Sequence, residues 1–97
     1  MSDPVRVILS GLLRDLVGGI PELYVDVPDE GETLAAVLDQ AFSGHGRLDG
    51  RVRDERGRIR PHVKVFINGE DVTRGEGTGS LVPPAARLHI VNAVSGG

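Results

Sequence analysis

One stretch of helical periodicity lies in the middle of a sequence whose other apolar residues alternate as they do in β-strands. Within residues 33–42, apolar side chains recur at intervals of three and four residues, which places them on one face of an amphipathic helix. These residues are Leu34, Val37, Leu38, Ala41 and Phe42. Thr33 is a typical N-cap, and Gly44 follows as a stop signal. The sequence therefore predicts one main helix over residues 33–42.

Strand-like alternation occurs on both sides of this helix. Three segments alternate apolar and polar residues with the period of a half-buried strand. They are residues 5–9, 23–27 and 63–67. Asn68-Gly69 is a strong hairpin signal, so residues 70–73 are predicted to return as a short strand. A last strand is predicted near residues 88–91, which gives the order β-β-α-β-β-β.

This order predicts an α+β fold, in which a mixed sheet of about five strands carries one main helix on one face. A β-grasp satisfies it best, with the final strand parallel to the first and between the first and third, through a right-handed crossover. That topology brings the chain to the edge of the sheet at its last residues. We therefore expect residues 1–92 to form the domain and residues 93–97 to form a flexible, projecting tail.

The segment 43–61 is the hardest to interpret from the sequence. It holds six of the ten arginines, interleaved with acidic residues. A structureless loop of this length is uncommon in a compact domain, and Leu48 and Val52 have the spacing of one short helical turn. We interpret the charged residues as a solvated loop, and a helix of three or more turns here would contradict the predicted fold.

Composition excludes several classes of function. The chain has no cysteine, so thiol catalysis, zinc–thiolate sites and disulfides are excluded. A net charge of −3 and three aromatic residues argue against a nucleic-acid partner. No apolar run is long enough to span a membrane, and a cytoplasmic location is expected. His62 and His89 are predicted to face each other on adjacent strands, but without a third ligand we expect no metal site.

The sequence closes on two glycines, which could offer a main-chain carboxylate as a reactive group. The expected tail includes Val94, Ser95, Gly96 and Gly97. Because glycine has no Cβ, such a tail could enter a tunnel too narrow for other residues. The carboxylate of Gly97 would be ionised at pH 7 and a poor electrophile, so it would need activation before a nucleophile could attack.

Three segments resemble the ubiquitin-like bacterial sulfur carriers, which include the small subunit of molybdopterin synthase and the thiamin and cysteine carriers. LRDLVGG at residues 13–19 is similar to the turn after the first strand in that family. RPHVKVFINGEDV at residues 60–72 is similar to the third-strand signature of the cysteine-biosynthesis branch. AVSGG at residues 93–97 matches the carrier tail. The family usually has a proline shortly before the tail, whereas this chain has Asn92-Ala93.

The resemblance implies a carrier, with no catalytic residues and no permanently bound cofactor. A partner resembling ubiquitin-activating enzymes would use ATP to adenylate Gly97, and a sulfurtransferase would supply the sulfur of a thiocarboxylate. The acceptor would be a biosynthetic enzyme, such as a pyridoxal-phosphate cysteine synthase or the large molybdopterin synthase subunit. The pathway could yield cysteine, molybdopterin, thiamin or a specialised metabolite. Two alternatives remain, a non-covalent β-grasp interaction module and a ubiquitin-like protein modifier.

A docking surface for such partners is predicted on the side of the sheet opposite the helix. The alternation points Ile8, Phe66 and Val91 away from the helix on three neighbouring strands. A contiguous apolar patch of this kind favours a partner interface. Alternatively, the strand parity is inverted and these residues belong to the core. Arg14 could steady an acidic group of the partner.

Overall fold

Residues 3–92 are described by a computed structural model of the protein. The predicted tail, with Val94, Ser95, Gly96 and Gly97, lies outside these residues, as does the expected boundary at residues 92–93. The strands are β1 (Val5–Leu9), β2 (Glu22–Val25), β3 (Glu32–Thr33), β4 (Val63–Ile67), β5 (Glu70–Asp71), β6 (Leu81–Val82) and β7 (Arg87–Asn92). The helices are α1 (Gly11–Asp15), α2 (Leu34–Ala41) and α3 (Gly46–Val52), with a 3-10 helix at Gly77–Gly79.

The main sheet has the strand order β2-β1-β7-β4-β5. β7 runs parallel to β1 and antiparallel to β4, so the last strand lies between the first predicted strand and the third. The predicted β-grasp topology is therefore confirmed. A second sheet of only two short strands, β3 and β6, was not predicted from the sequence.

The main helix forms where the periodicity predicts it. The Thr33 side chain caps α2, since its hydroxyl oxygen accepts a hydrogen bond from the Ala36 N–H at 3.2 Å. The apolar face of α2 is buried through Leu34, Val37, Leu38 and Ala41. Burial of each large apolar side chain contributes roughly 1.5–3 kcal/mol, so this face holds the helix on the inner side of the sheet.

Two further helices complete the covering of the core. α3 contains the predicted turn at Leu48 and Val52, both fully buried, and its seven residues stay below three turns. α1 was missed, because only Leu13 of its five residues is buried and no periodic pattern develops. Across the part of the chain that the structure describes, no helix has the length and apolar character needed to cross a membrane.

The arginine-rich segment is more ordered than a solvated loop. The Asp54 carboxylate accepts hydrogen bonds from the N–H groups of Arg56 and Arg58, at 2.9 and 3.0 Å, which closes a tight turn. These backbone hydrogen bonds, with that of Arg58 foremost, lower the pKa of Asp54. The Arg60 side chain donates to the Gly50 carbonyl at 2.7 Å, joining the turn to α3.

Arg53 departs most clearly from the expected solvated arginine, because its side chain is only 9% exposed. Its guanidinium pairs with Asp49 at 2.8 Å and with Asp39 at 2.9 Å, and it lies 5.8 Å from the centre of the Phe42 ring. The hydrogen bond to Asp49 is the main cause that raises the pKa of Arg53. Arg53 thereby ties α3 to α2.

We expect Arg53→Ala to lower the free energy of unfolding by about 1–3 kcal/mol, because it removes two ion pairs and the contact with Phe42. Arg56→Ala is the matched control, since this exposed arginine should change stability by no more than about 0.5 kcal/mol. Urea unfolding of both variants measures the difference. Equal losses would show that Arg53 is not an anchor.

Candidate functional site: the outer face of the sheet

The predicted docking residues lie on the face of the sheet opposite α2. Ile8, Phe66 and Val91 are each half-buried, whereas their strand neighbours that point to the helix are fully or almost fully buried. The predicted strand parity is thus confirmed, and these residues are not part of the core cluster. We call Ile8, Phe66, Val91 and the neighbouring His89 the docking face.

His89 occupies the centre of this face. It pairs in register with Ile8 on one side and with Phe66 on the other, so the two apolar side chains flank an imidazole. Val91 lies two residues further along β7, beside Lys64. The sequence pattern predicted that His89 points outward but did not reveal that it separates the apolar residues. The apolar patch is therefore divided by a polar group that can donate and accept hydrogen bonds.

The expected pairing of His62 with His89 is wrong, because the residue opposite His89 on β4 is Phe66. Within residues 3–92, no group of three or more side chains is arranged to hold a metal ion. A surface depression of about 540 Å³ is lined by Asp39, Asp49 and Arg53 among others. Both arginines of its lining already have partners, since Arg53 pairs with Asp39 and Asp49 and Arg60 donates to the Gly50 carbonyl, so the depression belongs to the structural anchor described above.

Charged residues border the docking face on the β2 side. The Arg6 guanidinium donates to the Glu22 carboxylate at 2.6 Å, and the Tyr24 hydroxyl donates to the other oxygen of Glu22 at 2.6 Å. The hydrogen bond from Arg6, followed by that from Tyr24, lowers the pKa of Glu22. The same contacts with Glu22 raise the pKa of Arg6 and of Tyr24. This border is a three-residue network fixed on one carboxylate.

A second ion pair borders the face on the β5 side. The Lys64 ammonium lies 3.9 Å from the Asp71 carboxylate, and both side chains are substantially exposed. Hydrogen bonds from Thr73 are the main cause that lowers the pKa of Asp71, and Lys64 adds a smaller effect. An exposed pair of this kind contributes little to stability.

We call Asn92, the last residue of β7, the root of the predicted tail, and two contacts hold it in place. The Asn92 N–H donates to the Ser10 hydroxyl at 3.2 Å, and Asn92 also pairs with Val63 across β4. A proline at this position would lack the N–H that Ser10 receives. The Asn92 side-chain oxygen is buried and has no hydrogen-bond partner among the described residues. The Ser10 hydroxyl and strand β4 thus hold Asn92, the last residue that the structure describes.

Arg14 lies apart from the docking face, on α1. Its guanidinium donates to the Leu9 carbonyl at 3.4 Å, at the end of β1 and next to Ser10. The structure therefore places Arg14 near the root of the tail and does not bring it into the row formed by Ile8, His89 and Phe66. Its predicted role, to steady an acidic group of a partner, stays a prediction.

Comparisons with known proteins agree with this geometry. The model of the ThiS family matches residues 7–97. Small archaeal modifier protein 1 of Haloferax volcanii is 34% identical over 82 residues, which cover 77% of this chain and 93% of that protein. These matches confirm the resemblance drawn from the sequence motifs.

Two solved structures extend the similarity to the whole fold. The crystal structure of SAMP1 from Haloferax volcanii has a TM-score of 0.80 at 28% identity, covering 97% of this chain and 99% of that one. A chain of the Amycolatopsis orientalis BexX/CysO complex has a TM-score of 0.77 at 29% identity, covering 96% and 99% respectively. The similarity to CysO fits the third-strand signature of the cysteine-biosynthesis branch.

We expect Phe66→Ala to leave the domain folded, with a loss of about 1 kcal/mol or less, because Phe66 lies on the outer side of the sheet. Leu88→Ala is the contrasting control, since Leu88 is fully buried on the inner side and its truncation should cost about 2–5 kcal/mol. Thermal and urea unfolding report both values. If Phe66→Ala costs as much as Leu88→Ala, Phe66 functions as a core residue.

Proposed function

Since the chain belongs to the ThiS family, we propose that it carries sulfur as a thiocarboxylate on Gly97 and donates it in a biosynthetic pathway. The observation that carries this proposal is the fixed root of the tail. The bond from Asn92 to Ser10 and the pairing with Val63 hold the end of β7 beside the docking face. A partner that covers this face would receive the following residues, including Gly96 and Gly97, at a defined point.

The proposed chemistry begins with an oxygen of the Gly97 carboxylate, which attacks the α-phosphorus of ATP. Pyrophosphate leaves, and the product is a mixed anhydride with AMP. Hydrosulfide, made available by a sulfurtransferase, then attacks the carbonyl carbon. The C–O bond breaks, AMP leaves with its electron pair, and the S–H proton passes to solvent, so that a thiocarboxylate remains. Both steps require an adenylating partner that aligns the tail with the nucleotide, because an ionised carboxylate is unreactive alone.

In this proposal the protein is a co-substrate and holds no cofactor of its own, while ATP belongs to the partner. Val94, Ser95 and Gly96 form the segment that enters the partner's tunnel. The acceptor is a biosynthetic enzyme, for which the CysO similarity favours a pyridoxal-phosphate cysteine synthase over a molybdopterin synthase subunit. We propose a cytoplasmic location, because ATP is required, and neither nucleic acid nor a membrane as a partner.

We assign partner binding to the docking face together with Arg14. Ile8, Phe66 and Val91 supply half-buried apolar side chains, His89 supplies a hydrogen-bonding group, and all four lie on the strands nearest the root of the tail. The BexX/CysO structure is a complex by its description, which supports the expectation that a carrier of this fold works bound to another protein.

Protein modification is the second candidate function. The relative with 34% identity is described as a small archaeal modifier protein, which favours this alternative. The same adenylate would react with a lysine amine of a target instead of hydrosulfide, so that an amide forms and AMP leaves. The two functions share the activated Gly97 and differ in the nucleophile. A non-covalent module would require no activation.

Incubated with the adenylating enzyme of its own organism, ATP and a sulfide donor, the protein should gain the mass of one oxygen-to-sulfur exchange at Gly97. Because the sequence contains no cysteine, reactivity towards thiol alkylators should appear only with this product. Intact-mass and fragment-mass spectrometry measure both signals. Amide conjugates to lysines of other proteins, formed in place of the thiocarboxylate, would favour the modifier.

Two variants serve as controls for this assay. Deletion of Gly97 should abolish the exchange while the unfolding midpoint is unchanged, and Gly96→Leu should block activation because a side chain obstructs the tunnel. An intact protein that forms neither an adenylate nor a thiocarboxylate would contradict the carrier and the modifier alike. The non-covalent module would then be the remaining function.

We further expect Phe66→Ala to weaken binding to the adenylating enzyme by about 2 kcal/mol, or ~30-fold in Kd, because a central aromatic side chain often dominates an interface. Leu81→Ala is the matched control, since Leu81 is 61% exposed but lies on β6, outside the main sheet. Isothermal titration calorimetry measures both. Equal Kd values for the two variants would exclude Phe66 from the interface.

A further inference from the structure

Two arginines stand side by side on the outer face of the sheet. Arg6 of β1 and Arg87 of β7 are in register in the parallel pair, and both point away from α2. Neighbouring strands are about 4.8 Å apart, so the two side chains leave the sheet close together. Like charges directly opposite each other on adjacent strands are destabilising. This arrangement works against the stability of the free domain.

Only one of the two arginines has a carboxylate partner. Glu22 binds Arg6 at 2.6 Å and also accepts the Tyr24 hydroxyl, so both of its oxygens are engaged. Arg87 influences Glu22 more weakly, as the last and smallest cause of its lowered pKa. Among residues 3–92, no carboxylate lies within ion-pair distance of the Arg87 guanidinium. Arg87 therefore forms no ion pair within the described residues and has only this weak interaction with Glu22.

Arg87 borders a surface notch with a volume of about 270 Å³. Asn68, Gly69 and His89 form the rest of its lining. The Asn68 side-chain oxygen accepts the Arg87 N–H at 2.9 Å, which fixes the turn against β7. A Cβ at Gly69 would meet nothing within 4 Å, so the notch is open above the turn. This volume accommodates one acidic side chain and is smaller than a typical small-molecule site.

The notch is continuous with the docking face through His89. His89 lines the notch and is also in register with Ile8 and Phe66. A partner that covers the apolar residues therefore passes over the Arg87 guanidinium. Its charge would be buried without compensation unless the partner supplies an anion, and burial of an unpaired charge is strongly unfavourable.

Charge complementarity indicates which group the partner supplies. The chain as a whole carries a net charge of −3. Among the paired strand residues that the structure describes on the outer face, three are cations and two are carboxylates, namely Arg6, Lys64, Arg87, Glu22 and Asp71. The pairs Arg6–Glu22 and Lys64–Asp71 account for two of these cations. The surplus positive charge of this face is thus that of Arg87.

We propose that Arg87 receives an aspartate or glutamate side chain of the adenylating partner, which enters the notch between the 68–69 turn and β7. This inference rests on the proposed function, because it requires that the partner covers the docking face. The apolar residues then provide contact area, and Arg87 selects partners that carry a carboxylate at the matching position. A partner with an apolar or basic side chain there is rejected.

The test compares Arg87→Gln and Arg87→Glu with Arg56→Gln and Arg56→Glu in binding to the adenylating enzyme of the same organism. Arg56 is also exposed, but it lies in the turn closed by Asp54, so the matched variants change net charge equally. Charge reversal at Arg87 should weaken binding at least ~10-fold, and reversal at Arg56 should change Kd by no more than about twofold. Raising the salt concentration should weaken the wild type more than Arg87→Gln.

Stability measurements separate this role from a structural one. Because Arg87→Gln removes the repulsion with Arg6, its unfolding midpoint should be equal to or above that of the wild type while its binding is weaker. A lower midpoint with unchanged binding would overturn the proposal. A second experiment replaces each acidic residue of the partner's contact surface by lysine, and one such variant should restore binding to Arg87→Glu.

The outcomes for the proposed function and for Arg87 are distinguishable. If the wild type is adenylated and the variants at Arg87 and Arg56 bind equally well, the assignment of Arg87 is wrong and the carrier function stands. If no partner substitution restores binding to Arg87→Glu, the carboxylate contact is likewise contradicted. If the wild type is neither bound nor adenylated, both the proposed function and the role of Arg87 fail.

Discussion

The parallel pairing of β1 with β7 is the constraint on which the rest of the structure depends. Parallel neighbours cannot be joined by a tight turn, so the chain between them must leave the sheet and cross one of its faces. α2 lies in that connection and buries its apolar face on the inner side of the sheet. Both central strands bury inward residues, such as Val7 and Leu88, and this orientation fixes which residues face outward.

The outer face combines features that stability alone does not explain. Polar residues alone would suit a strand surface that faces water, yet here Ile8 and Phe66 flank the His89 imidazole. Arg6 and Arg87 are also in register with each other on this face. Local conflicts of this kind are expected at functional sites, where contacts with a partner resolve them. The inner face shows no such conflict, because its side chains form one apolar cluster.

The sequence predicted the parts of this structure that depend on periodicity. The main helix, the central strands and the outward direction of Phe66 follow from spacings of 3.6 and 2 residues. The sequence did not predict features that depend on tertiary contacts. In the sequence, Arg53 cannot be distinguished from the exposed arginines, and only the fold shows its contact with Asp39. In the same way, only the strand register shows that Arg87 lies beside Arg6. The short strands β3 and β6 pair with each other although about fifty residues separate them in the sequence.

The double attachment of Asn92, to Ser10 and to Val63, has a metric consequence. A covalent chain of five residues spans at most about 17 Å, which limits how far from Asn92 the proposed reaction at Gly97 can take place. Under the proposed function, an enzyme that binds the docking face must therefore have its reactive centre within that distance of Asn92, and a residue inserted into or deleted from 93–97 would change this maximum distance.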